Sequence, residues 1–142
     1  MGVTVTPATS VAVEVITSAV TTFSMVAAEA IVSKEAVCQS QTEAGKCYKA
    51  DANDTTKMPV IGIASEAAAI GETLDIYNAG RVTSVVRDAD FSIGDIIYMS
   101  TTPGQVTKTL STGSGTAQQR LGIATDTDDI LLDIDLTIMW IP

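Results

Sequence analysis

The chain has 142 residues, with 17 acidic and 8 basic side chains, a net charge of −9 and no histidine. That balance excludes a basic face for a nucleic-acid backbone. The missing imidazole excludes every mechanism that uses one as base, shuttle or metal ligand. Apolar residues at 46% exclude an acidic disordered chain, and the length suffices for one domain with a real core.

The first residues carry no basic side chain ahead of an apolar run, so no secretory signal is expected. The uncharged stretch Val15 to Ala28 is bounded by Glu14 and Glu29. It is too short to cross a bilayer as a helix, and no membrane partner is expected. Composition divides the chain into an N-terminal arm or strand segment, residues 1–31, and an all-β domain, residues 32–142. Within the arm, Val3 and Val5, then Val11, Val13 and Val15, alternate with smaller or polar residues in the period of two that marks a strand.

The domain reads as short strands between turns, and its abundant threonine favours that state through χ1 stiffness. Val60 to Ala64 is a strand. Ser65 to Ile70 suits a helix but Gly71 stops it, which predicts a loop or a single turn. Glu72 to Tyr77 alternates, Asn78-Ala79-Gly80 predicts a turn, and Arg81 to Arg87 a returning strand. After a turn at Asp88-Ala89-Asp90, Ile96 to Ser100 is a strand. Thr102-Pro103-Gly104-Gln105 places Pro and Gly at the central positions of a type II turn into Val106 to Leu110. A loop over 111–116 leads to Leu121 to Ala124, a turn over 126–129 and a last strand over 130–141. Such spacing predicts an all-β sandwich or small barrel. Gly62-Ile63-Ala64 and Gly122-Ile123-Ala124 echo one another, too briefly to establish a repeat.

In the last strand Leu132, Ile134, Leu136, Ile138 and Trp140 share one face, and the polar face opposite turns apolar at Met139 and Ile141. Such an end is covered either by another chain or by the N-terminal segment. With Phe23 and Met25, Met139 and Ile141 are the candidate subunit-interface residues.

Chemistry is sparse. Cys38 and Cys47 match no zinc spacing and flank a predicted turn at 41–45, leaving both free thiols and a disulfide open. Asp126 to Asp129 resembles the opening of a calcium loop. Leu131 stands where such a loop needs its glycine and Thr137 where it needs its glutamate, so a plain turn is predicted. Ser33 and Lys34 are adjacent and point apart on a strand. Gly113-Ser114-Gly115 is not flanked by the strand and helix of a phosphate loop. No catalytic residue, metal or cofactor is expected, and the chain is read as no enzyme.

Several phrases recur in order: Val32 to Val37, Gly45 to Ala52, Val60 to Ala64, Asn78 to Val82, Ile93 to Ser100, Pro103 to Thr107 and Leu121 to Ala124. This series resembles the small capsid decoration, or cement, proteins of tailed double-stranded DNA bacteriophages, and is similar to modules of phage head fibres. The likeness covers about residues 32–138. It implies a β-barrel or β-tulip-like domain with an extended N-terminal arm, often trimeric, on the exterior of the virion capsid. It implies the major capsid protein as partner, with the shell stabilised by bridging its subunits. Val3, Val5, Val11, Val13 and Val15 suit an arm that adds a strand to a shell protein's sheet. The alternatives are a head-fibre, tail or receptor-binding module, and a self-assembling shell or filament protein. One Trp, three Tyr and two Phe make a poor aromatic platform for a host glycan.

Overall fold

The computed structural model describes residues 20–142 and is all-β, with eleven strands and one 3-10 turn at Thr55–Lys57 among the described residues. The arm candidates Val3, Val5, Val11, Val13 and Val15 lie outside the described residues.

Five strands close a small barrel. They are β1 (Thr21–Ala27), β2 (Ala36–Gln39), β3 (Lys46–Lys49), β4 (Val60–Ala64) and β5 (Thr73–Val82). The circuit runs β1-β3-β2-β4-β5 and closes through the antiparallel pairing of β5 with β1. Closure leaves fewer backbone edges to satisfy. Met25, Ile31, Val37, Cys47, Leu74 and Ile76 fill the interior. Thr21–Ala27 falls within the segment that composition assigns to the arm, yet it forms one wall of this barrel. Few charges there reflect burial of alternate side chains in the chain's own core.

β5 does not turn at Asn78-Ala79-Gly80 as the sequence suggests. It continues to Val82, with Gly80 at a φ of +94°, and pairs through Ala79–Val82 with β10 (Ile130–Asp133). Beyond β10 follow β9 (Arg120–Ala124), β6 (Ile96–Met99) and β7 (Val106–Thr107). A single parallel bridge from Arg87 to Val106 brings this second curl back towards β5. Its interior holds Val82, Val85, Phe91, Ile97, Met99, Leu121 and Ile130.

The two units repeat. Lys34 and Gly94 both have positive φ, +70° and +93°. Lys34 N donates to Ala64 O and Ala64 N to Glu35 O; sixty positions later Gly94 N donates to Ala124 O and Ala124 N to Asp95 O. Glu35 accepts from Val32 N at 2.9 Å, as Asp95 does from Ser92 N at 2.7 Å. Ser40 Oγ accepts from Thr42 N, as Ser100 Oγ does from Thr102 N. The Gly-Ile-Ala echo is thus the visible part of a structural duplication. In each copy the glycine sits beside a bulge, opposite Val37 in one and Ile97 in the other. A Cβ on Gly62 would lie 2.4 Å from the Tyr77 carbonyl oxygen, and one on Gly122 2.1 Å from that of Leu131. The next strand crosses too closely for any side chain at either position.

The last strand is shorter than expected. β10 ends at Asp133. Asp135 Oδ1 accepts from Thr137 N at 2.9 Å, an Asx-type turn that breaks the run. Leu136 is consequently exposed rather than aligned with Leu132. The chain resumes as β11 (Met139–Trp140), paired with β8 (Ala117–Gln118). The expected turn at Thr102–Gln105 forms, with Gln105 N donating to Thr102 O and Gly104 at a φ of +78°. Ser65 to Ile70 is a loop held by a bridge from Ala68 to Ile31.

Gln119 ties the units together. Its buried amide accepts from Val60 N at 2.7 Å, donates to Val60 O at 3.0 Å and donates to Asp135 O at 2.9 Å. One side chain therefore takes the place of a neighbouring strand for β4. Gln119→Leu leaves these backbone groups without partners and is expected to cost about 3 kcal/mol or more, read as a lower urea midpoint.

Candidate assembly surfaces

The interface candidates divide. Met25 is 8% exposed and belongs to the barrel core, so it offers no surface to a partner; its alternation with Phe23 reflects this chain's own packing. Phe23 is half-buried beside that core. Met139 is 65% exposed on β11. Ile141 is half-buried, and its backbone is tied to the loop before β8 through Gly115 N to Ile141 O and Ile141 N to Thr116 O. Trp140 is half-buried against the second unit's core. No described strand pairing joins β1 to β11, which sit in separate sheets.

Among the described residues, the leading part of β1 has a strand partner on one edge only. β3 pairs with it only at Val26 and Ala27, whereas β5 pairs with it from Thr21 onward. Thr21, Thr22 and Ser24 are exposed.

The cysteines face different cores. Cys47 stands opposite Gln39 and Cys38 opposite Tyr48, so the thiols project from opposite faces of the β2–β3 pair. Cys38 lies in the core between the barrel and the second unit, Cys47 in the barrel, and both are free. Burial pushes the Cys38 thiol up to about 12 and that of Cys47 up to about 11.

The acidic turn is a latch. Asp129 Oδ2 accepts from Arg81 at 2.9 Å and Oδ1 from Ser84 N at 3.2 Å, tying the β9–β10 turn to the end of β5. Burial works to raise its pKa, but the hydrogen bonds from Arg81, Asp128 and Ser84 prevail and hold it below the usual range. The hydrogen bond shared with Asp129 raises that of Asp128. With both Asp129 oxygens engaged, the turn is structural. Among the described residues no group of three or more His, Cys, Asp or Glu is placed to hold a metal ion. Lys34 Nζ donates to the Thr83 carbonyl at 2.8 Å rather than to Ser33. A depression of about 430 Å³ bounded by Gln39, Ser40, Gln41, Met58, Pro59 and Ile61 carries no titratable group.

The described residues thus form two β-units linked by the shared strand β5 and by Gln119. Residues 15–129 match the phage cement protein family, and the chain belongs to it. It is a phage capsid-associated structural protein of the virion. The match begins at residue 15, so it takes in β1, which the phrase-by-phrase likeness from residue 32 left out. Among curated proteins none is significantly similar in sequence. Among solved structures, the N base of the head fibre gp8.5 of bacteriophage phi29 is similar in fold. Its TM-score is 0.50 at 14% identity, covering 85% of this chain and 98% of that one.

Two measurements check the side-chain chemistry. Native protein at pH 8 is expected to leave both thiols unmodified by a thiol reagent, and denatured protein to expose both. Asp129→Asn is expected to cost about 1 kcal/mol at pH 7, the Arg81 partner being half-exposed. A depressed carboxylate stabilises the fold above its unfolded pKa, and that contribution fades as pH falls through the folded one. The gap between wild type and variant in urea melts therefore closes on acidification.

Proposed function

We propose that this protein binds the outer surface of a phage capsid and stabilises the shell by bridging neighbouring major capsid protein subunits. The observation that carries this reading is the family match over residues 15–129. A net charge of −9 favours the exterior, because packaged DNA repels an acidic protein. Residues 1–16 serve as the arm, with Val3, Val5, Val11, Val13 and Val15 filling pockets while the backbone adds a strand to a shell protein's sheet. The leading edge of β1, which no described strand pairs on its β3 side, supports this, since the arm's sequence runs directly into β1. Bridging adds contacts across the seams and stabilises the decorated shell by mass action. Three associated copies multiply weak arm contacts. The role is mechanical and involves no catalysis.

A second reading, the base of a head fibre, is favoured by the fold shared with the phi29 head-fibre base. Co-sedimentation with undecorated shells separates the two. The cement role predicts saturable binding at a fixed ratio to shell subunits and shells more resistant to heat. Binding with unchanged heat resistance supports the fibre base instead. Removal of residues 1–16 is expected to leave a folded domain that no longer binds; full affinity in that truncation overturns the arm's role.

A further inference from the structure

Among the described residues, the duplication leaves one sheet face covered in the first unit and partly exposed in the second. In the first, Ala36, Cys38, Val60, Ile63 and Tyr77 point away from the barrel interior and pack beneath the second unit. Sixty positions on, Ile96, Tyr98, Arg120 and Ile123 occupy the places of Ala36, Cys38, Val60 and Ile63. Ile96 pairs with Ile123 and Ile123 with Leu131, so their side chains form one row across three strands. Their chain neighbours Ile97, Ala124, Ile130 and Leu132 are buried, which turns the row outward. Ile96 is 41% and Leu131 37% exposed, and Ile93, in the turn before β6, is 81% exposed. Arg120 and Asp133 flank the row. Both are exposed, and neither joins an ion pair among the described residues.

We propose that this row is the contact between copies of the chain, with Arg120 of one copy against Asp133 of another. Two observations select a second copy as the occupant. Where the same face recurs in the first unit, it is covered by a unit of this same fold. The face also carries one free charge of each sign, and so is complementary to itself, whereas the molecule as a whole, at −9, repels its own kind. An aliphatic centre with an opposed charge pair at its rim gives both burial and register.

The inference deepens the reading of an assembling protein by naming the face its copies share. It is tested on the free full-length chain without shells, so its failure is distinct from failure to bind a capsid. Sedimentation equilibrium is run on wild type, Ile123→Thr, Arg120→Asp, Asp133→Arg and the double reversal. Trp140 fluorescence and circular dichroism confirm that each variant is folded. Wild type is expected to associate with rising concentration. Each single change is expected to weaken association about tenfold or more, and the double reversal to restore it to within about threefold of wild type. A wild type that stays monomeric, or folded single variants that associate as wild type does, overturns the proposal. So does a double reversal that fails to restore association.

Discussion

The side chain of Gln119 holds the two halves of this molecule in register. β4 needs a partner on the side away from β2 at Val60, where no described strand pairs with it. An amide supplies both a donor and an acceptor at the spacing of a peptide group, so one glutamine closes the ladder at Val60 and reaches the Asp135 carbonyl as well. A hydrophobic residue of similar size would fill the space and leave the polar groups stranded. The junction core of Ala36, Cys38, Val60 and Ile63 can therefore be apolar because its single polar demand is met from one position.

From that junction the rest follows in order. β5 is ten residues long because it serves the barrel through Thr73–Ala79 and the second unit through Ala79–Val82. Its passage from one to the other sets the two cores side by side. Asp129 then fastens the β9–β10 turn to the end of β5 through Arg81 and Ser84. Charge is spent on the outside of the joint and apolar volume on the inside.

Much of this was legible in the residues. Alternation and turn chemistry located most strands, and the Pro-Gly pair at 103–104 specified its turn type, because local rules decide those features. The duplication was hidden because the two copies share geometry more than identity. Lys34 stands where Gly94 does and Glu35 where Asp95 does, while Gly-Ile-Ala, Ser40 and Thr42 are matched unchanged by Gly122-Ile123-Ala124, Ser100 and Thr102. The Asn78-Ala79-Gly80 signal misled because pairing partners on both edges held the strand through it. The last strand misled in the opposite sense: its alternation is sound, but the Asp135 side chain captures the Thr137 amide and turns the chain. Met25, a candidate interface residue, lies in the barrel core because alternate β1 side chains face inward, a placement that only the pairing of β1 with β5 reveals. Which partner covers a face is settled by long-range pairing, and no window of ten residues contains that.

The sharing of β5 also governs how the chain is made. As the polypeptide leaves the ribosome, the barrel can close once β5 has emerged. Its outer wall of Ala36, Cys38, Val60 and Ile63 then stays uncovered until residues 96–133 follow. During that interval the nascent first unit presents an apolar flank, and Val60 waits for a glutamine not yet synthesised. Completion of the second unit removes the flank and the unmet hydrogen bonds in one step. The two repeats are therefore one cooperative folding unit, and a chain interrupted between them is a sticky fragment rather than half a protein.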